Sequence, residues 1–363
     1  MSENKHYGSK SRPTMMDVAA MAGVSQATVS LVLNGSPGVK LTDSTRSRVL
    51  QAAQKLGYQF VRRGIQWAPD GQSMIIFIAD EVTTDPWMAL AFEGARDKAL
   101  EFGINVCLMV SHGDVDTETS IVSQMGGQQV LGFLYGTILT RLVELPVALA
   151  SQQTVLVNCY DAKRTIPSVV PGDLVGGRVA TEHLLSIGRK RIGFINGQQG
   201  VDAARDRLKG YKQALASNDI PFDSALVCPG NWEPSAGYEM TRSLMAIENP
   251  PDAIFCANDM MALGCFDALT ELGLKVPKDV AVVGFDDRGI AQHTHPPLTT
   301  LVLPHYEIGE IAAELLIDSA GGLRPRPNQI KVECRLIERQ STGSVHSLES
   351  ESEGRMAAGQ ASA

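Results

Sequence analysis

The sequence predicts an all-α N-terminal unit joined to an α/β body of parallel sheets, and three observations point there. Residues 14–58 hold three short helix-forming stretches, with a glycine between the first two and another after the third. Beyond residue 73, apolar strand-like runs alternate with helical stretches. At 363 residues, 44% hydrophobic and 20% charged, the chain has an ordinary globular composition and is long enough for two or three domains.

Taken in order, Thr14 and Asp17 form a capping-box pattern that opens a helix by satisfying its first free amides. Val18, Ala19, Met21 and Ala22 give that helix an apolar side, and Gly23 stops it with the positive φ that a tight turn requires. Val24 plugs the angle, and Ser25 caps a second helix running to about Asn34. A third helix starts near Thr42, turns Val49, Ala52, Ala53 and Leu56 inward, and ends at Gly57. Three short helices with a glycine turn describe a helix-turn-helix unit. Ser25, Gln26, Ala27 and Thr28 lie in the first turn of its second helix, from which side chains reach base edges in a major groove. Ser30, Asn34 and Thr45 can hold phosphates, and Arg46 and Arg48 add charge. A three-helix protein-binding module has the same outline, so the pattern alone leaves that open.

The body begins with MIIFIAD at 74–80. Helices ending in glycine precede strands three times: ALEFG before INVCLMV, LLSIG before RKRIGFI, and LTELG before DVAVVGFDD. LGFLYG and TVLVN add strands in the first half and AIFCAND in the second. This rhythm predicts parallel sheets with covering helices, in two sets of similar size. Ligands of such sheets sit at the carboxyl ends of the strands. Asn158, Asn258 with Asp259, and Asp286 with Asp287 stand there; Arg207 lies near the start of a helix, and Trp87 and Trp232 lie in loop-to-helix stretches. Tryptophan beside carboxylates and an arginine is the composition of a sugar pocket, because ring faces stack while charged groups bond hydroxyls. Singly, each has a plainer use: Asn258 as a helix cap, Asp287 as a turn former, either tryptophan as core.

Other classes find no support. There is no GxGxxG after a strand, no GxxxxGK[ST], no HExxH and no GxSxG, so the expectation is a non-enzyme that needs no cofactor and holds no metal. His293 and His295 read as structural residues of a proline loop, and the six scattered cysteines as buried thiols. No apolar run approaches the roughly 18–20 residues that span a bilayer. No apolar segment follows the first basic residues, so no signal peptide is expected and the cytoplasm is the expected location. The net charge of -8 hides an asymmetry: residues 1–63 carry nine Lys/Arg against three acids (+6), and the remainder carries 23 basic against 37 acidic residues (-14). A basic end on an acidic body suggests a polyanion contact confined to that end.

The stretch TMMDVAAMAGVSQATVSLVLNG, continuing through TRSRVLQAAQKLGY, resembles the DNA-binding headpiece of the lactose-repressor family. The resemblance implies that Gln26 and Ala27 read bases, with a third base-reading position at Leu31, and that Thr14, Met15, Tyr58 and Arg46 belong to the DNA surface. The chemistry of those residues would let Gln26 bond adenine while Ala27 and Leu31 contact thymine methyls. The family continues with a hinge helix that wedges a leucine into the minor groove; this chain instead reads QFVRRGIQWAPDG, with Phe60, Val61 and Gly64 in place of the usual proline, asparagine and alanine. Trp67 aligns with the wedge, and Arg62 and Arg63 suit a minor groove. Two readings stay open: an altered hinge with Ile65 or Trp67 as wedge, or an irregular linker with Trp67 packed on the core.

The resemblance extends to about Thr342 through GDLVGGRVATEHLLSIGRKRIGFING, ANDMMALG, VAVVGFDD and LIERQST, and implies a two-lobed periplasmic-binding-protein-like core of two doubly wound sheets. It implies a headpiece at 1–60, a hinge at 61–72 and a core at 73–342. Within the core, one lobe would take about 73–171 and 303–325, the other about 172–302 and 326–342. Trp87, Asn158, Arg207, Trp232, Asn258 and Asp286 fall on effector-lining positions, whereas Gly172 departs from a common aspartate near the lobe crossover. Residues 343–363 are polar and lack heptads, so they read as a disordered tail, and the absence of a leucine repeat leaves a homodimer. The expected function is a repressor that binds an inverted-repeat duplex DNA operator and releases it when a sugar or sugar derivative enters the cleft. A nucleoside or purine ligand, or a receptor with no DNA role, is the alternative.

Overall fold

A computed structural model describes residues 15–24, 28–29, 32, 43–56, 74–125, 129–322 and 328–343. They fall into two compact units that divide after Asp70.

In the N-terminal unit, helices α1 (Met15–Ala22) and α2 (Asp43–Leu56) pack on one small core. Val18, Ala19, Ala22, Val29, Val32, Val49, Ala52 and Ala53 are buried together, with Val24 and Leu56 against them. Thr28, Val29 and Val32 have helical backbone, as expected of the second helix. Gly23 takes φ +64°, the Val24 amide reaches the Ala19 carbonyl at 3.1 Å and the Gly23 amide that of Ala20 at 3.4 Å. That pair of bonds is a Schellman ending, which the glycine makes free of side-chain strain. Met21, expected inward, is half exposed at 51%. It lies about 100° from the centre of the face that Val18, Ala19 and Ala22 share, since helical residues turn 100° apiece. Thr45 is partly buried and its hydroxyl lies 3.5 Å from an Arg48 guanidinium nitrogen. The expected sites Thr14, Ser25, Gln26, Ala27, Ser30, Leu31, Asn34, Tyr58, Arg62, Arg63 and Trp67 lie outside the described residues, as do the side chains of Met15 and Arg46.

The second unit is a two-lobed α/β core. Its first sheet has six parallel strands in the order β11-β5-β4-β3-β1-β2. These are β1 (Met74–Ala79), β2 (Asn105–Val110), β3 (Val130–Leu142), β4 (Thr154–Tyr160), β5 (Ser168–Pro171) and β11 (Gln329–Val332). The second has four, β7-β6-β8-β9, from β6 (Ile192–Ile195), β7 (Val227–Cys228), β8 (Ala253–Cys256) and β9 (Ala281–Val283). Both wind outward from their first strand in the same doubly wound way. Ile75 through Ala79 are wholly buried, the continuous apolar pattern of a strand covered on both faces. The three helices expected to end in glycine do so: Gly103, Gly188 and Gly273 have φ +71°, +87° and +72°, each with the same Schellman bonds as Gly23.

Two expectations change. The sheets are not of similar size, because β5 and β11 extend the first. Strand β11, placed by sequence in the second lobe, pairs in register with β5 (Gln329↔Ser168 to Val332↔Pro171), so the return to the second lobe falls after Val332 rather than near residue 325. The chain then pairs β12 (Leu336–Ile337) with β10 (Thr300–Leu301) in an antiparallel ribbon. Four of the six cysteines are buried as expected, but Cys107 is exposed because it points outward from the edge strand β2. Among the described residues, no helix is long and apolar enough to cross a membrane.

The covering helices include α4 (Val115–Met125), α5 (Val147–Ala150) and α8 (Pro234–Met245), and two further helix pairs place the residues of the candidate site. Helices α6 (Asp173–Ser186) and α7 (Asp202–Ser217) cross at Gly177 and Gly210, where a Cβ on either would overlap the other helix's backbone, at Arg207 and Leu174 respectively. Helices α3 (Trp87–Leu100) and α10 (His305–Ala320) cross in the same way at Gly94 and Gly309. Gly177→Ala should therefore push α7 away and destabilise the core by about 3 kcal/mol, the upper part of the range for overpacking. A urea denaturation midpoint equal to that of the parent would show that the crossing yields easily.

Candidate effector site at the lobe crossovers

The carboxyl ends of both sheets face the three segments that pass between lobes, at residues 172, 302–304 and 333–335. Helix α7 carries Arg207 into this region, 3% exposed. Its Nε donates to Asp173 Oδ1 at 2.8 Å and Nη2 lies 2.8 Å from the same oxygen, Nη1 donates to the Ala257 carbonyl, and the guanidinium lies 3.6 Å over the Phe285 ring. Asp173 is the first residue of α6, immediately after a crossover, and is equally buried. A buried charge is tolerable only when it is paired, and this one is.

Asp286 follows β9 on a strained backbone at φ +115°. Its amide donates to Leu301 O at 2.7 Å, which holds it against the crossover strand β10. The carboxylate stands 3.9 Å from Arg207 Nη1 and 3.8 Å from Arg288 Nε, short of a hydrogen bond with either. Burial raises its pKa well above the ordinary carboxylate range; Asp259 and Asp173 add to the rise and Arg207 opposes it. Nearby Asp259, at the start of α9 (Asp259–Glu271), is pushed up to about 7, chiefly by burial, although it accepts from Thr300 Oγ1 at 2.6 Å and the Arg288 amide at 2.8 Å.

Trp232 (φ +72°) lies with its ring 5.7 Å from the Arg207 guanidinium and against Gly197, where no side chain fits. Its indole Nε1 is buried without a hydrogen-bond partner. Trp87 opens α3 and is 7% exposed. One face of it stacks on His305 at 5.3 Å and 22°, and the Arg288 guanidinium lies 5.2 Å from its ring. Arg288, from the second lobe, also bonds Asp85 of the first. Tyr160 of the first lobe donates to Asp202 of the second. Burial pushes the His305 pKa down to about 3, so its imidazole is neutral at physiological pH.

Of the six residues expected here, the structure brings Arg207, Asp286 and Trp232 together, with Trp87 joined to them through Arg288. Asn158 and Asn258 have their amides engaged. Asn158 donates to Thr137 O (2.8 Å) and Ile138 O (3.2 Å) and accepts from Thr140 Oγ1 (2.6 Å). Asn258 caps α9 through the Met261 amide (2.9 Å) and donates to Trp232 O (2.9 Å), so it positions the tryptophan. Asp287 bonds Arg339 at 2.6 Å. Asn158, Trp232 and Asp286 all sit at positive φ, a strain of about 1–3 kcal/mol apiece that clusters at binding sites. Sequence reasoning missed Asp173, Arg288 and His305. The only local signal was the acid directly after Gly172, which restores a carboxylate at the crossover.

Asp173→Ala should strand the Arg207 charge and lower stability by about 3–5 kcal/mol, whereas Asp173→Leu with Arg207→Met should lose less than the single change. Urea titration ranking the double variant below the single one would show that the pair itself stabilises the core.

Residues 14–59 match bacterial regulatory proteins of the lacI family, and residues 181–342 match the periplasmic binding protein-like domain. The chain is 31% identical over 335 residues to the HTH-type transcriptional repressor CytR of Escherichia coli (strain K12), covering 91% of this chain and 96% of that one. Among solved structures, the transcriptional regulator CelR–cellobiose complex aligns with a TM-score of 0.62 at 30% identity, covering 91% of this chain and all of that one. The lac repressor dimer bound to operator and the anti-inducer ONPF aligns with a TM-score of 0.62 at 27% identity, covering 92% and 99%. With its two matched regions and full-length relatives that are regulators rather than enzymes, the chain belongs to the lacI family and is a DNA-binding transcriptional repressor.

Proposed function

We propose that the chain is a homodimer that holds an inverted-repeat operator through residues 1–72 and releases it when a sugar or sugar derivative occupies the cleft at the lobe crossovers. The observation that carries the ligand half is the Asp286 carboxylate, buried beside two arginines and Trp232 but hydrogen-bonded to neither arginine. A hydroxyl can complete such a group, and an indole supplies the ring face. The cellobiose named with the CelR structure supports a sugar. On the DNA side, Gln26, Ala27 and Leu31 read bases, while Ser30, Asn34, Thr45 and Arg46 hold phosphates. The +6 charge of residues 1–63 confines contact to that end. Ligand and operator would be linked through the lobes, each weakening the other by one coupling energy.

Sites selected from random duplexes should form an inverted repeat, with affinity falling steeply as salt rises, and a core lacking residues 1–72 should not bind them. Gln26→Ala should relax preference at one base pair per half-site by about 1–3 kcal/mol, and unchanged preference would remove Gln26 from the reading surface. Asp286→Ala should abolish ligand-driven release while operator binding without ligand persists. Release at the parental sugar concentration in that variant would end the cleft assignment.

A further inference from the structure

His305 has no role in the fold that its chemistry explains. It is 1% exposed, yet among the described residues neither ring nitrogen has a hydrogen-bond partner. The neighbouring Leu303 carbonyl accepts the His305 backbone amide at 2.9 Å and opposes the fall in the ring's pKa, but it makes no hydrogen bond of good geometry with either ring nitrogen. A residue needed only to fill the space beside Trp87 would better be apolar, because a buried donor and a buried acceptor left unpaired both destabilise the fold. The ring lies where α10 leaves the crossover, stacked on Trp87 and close enough to Arg207 to feel its charge. Two more donors in the same group of side chains are buried and unpaired: Trp232 Nε1 and Arg288 Nε. The cleft thus offers three free donors, counting one imidazole N–H, and a free acceptor in the second imidazole nitrogen.

We propose that His305 contacts the effector, giving and accepting hydrogen bonds at hydroxyl groups of an uncharged ring ligand, and that it discriminates against carboxylate- and phosphate-bearing analogues. This rests on the cleft being the effector site. The discrimination follows from what is already occupied. Arg207 is ion-paired with Asp173 and Arg288 with Asp85, so the charge of each guanidinium is already matched, and Arg288 Nε remains only as a hydrogen-bond donor. Asp286 stands between them where burial already disfavours a negative charge, and a ligand anion placed there would meet the same desolvation cost. A neutral imidazole needs a partner that both accepts and donates; a hydroxyl does both, whereas an ionised carboxylate or phosphate cannot supply the proton.

The test uses the full chain and three variants, His305→Phe, His305→Gln and Asp286→Ala. Calorimetric titration employs D-glucose, D-galactose, D-ribose and cytidine, and beside them D-glucuronate, D-galacturonate, ribose 5-phosphate and cytidine monophosphate. A neutral compound should bind the parent at least about ten-fold more tightly than its charged counterpart. His305→Phe should weaken it at least about ten-fold, with His305→Gln recovering most of the loss, since an amide keeps a donor and an acceptor. Without ligand, His305→Phe should unfold at the same temperature as the parent or higher. A charged analogue that binds more tightly, His305→Phe with parental affinity, a lower unfolding temperature for His305→Phe, or no binding by any neutral compound would each overturn the proposal. If Asp286→Ala loses binding while His305→Phe keeps it, only the histidine assignment fails. If both keep it, the cleft is not the effector site.

Discussion

The core turns on one buried ion pair. Arg207 and Asp173 are each almost fully shielded from water, and each is fixed by an element that serves the cleft. Asp173 opens α6 directly after a lobe crossover, and Arg207 rides on α7, which the Gly177–Gly210 crossing presses against α6. Because a charge this deep must be satisfied, its partners are specified: the Asp173 carboxylate, the Ala257 carbonyl at the end of β8, and the face of Phe285. Phe285 precedes Asp286, and Ala257 precedes Asn258, which in turn holds Trp232. One guanidinium therefore registers three strand ends of the second lobe against a segment that leads to the first.

What the pair leaves unsatisfied is the basis of the proposed binding capacity. Asp286 sees two arginines and bonds neither; Trp232, Arg288 and His305 keep buried nitrogens without partners. Such groups weaken a fold and are retained where a ligand completes them, which is the stability–function conflict expected of a binding site. The contacts of Arg288 with Asp85 and of Tyr160 with Asp202 bridge the two lobes, so a ligand entering this region acts where their relative arrangement is set.

How much of this the sequence disclosed depended on distance along the chain. Local features were legible: Gly23, Gly103, Gly188 and Gly273 end helices because a positive φ is written into one residue, and the apolar run of β1 marks a strand buried on both faces. The alternation of strands and helices gave the doubly wound sheets, but not β5, whose four residues end in proline, nor the attachment of β11 to the first sheet, which depends on pairing across more than 150 residues. Arg207, Trp232 and Asp286, which the structure brings together, could be singled out because they lie near predictable strand and helix ends. Asn158 and Asn258 were ambiguous because the same amide can cap a helix, tie strand ends or hold a ligand. Asp173 was hidden behind the missing aspartate at position 172, and His305 behind a stacking partner 218 residues away.

The central claim is that the cleft and the operator surface are two ends of one equilibrium. Reciprocity tests it most directly. The affinity of the effector should be measured by calorimetry for the free protein and for the protein saturated with its operator duplex, and operator affinity should be measured with and without saturating effector. The account predicts that each ligand weakens the other by the same factor, within the roughly 5- to 150-fold span usual for such coupling. Effector affinity that is identical with and without operator would contradict it.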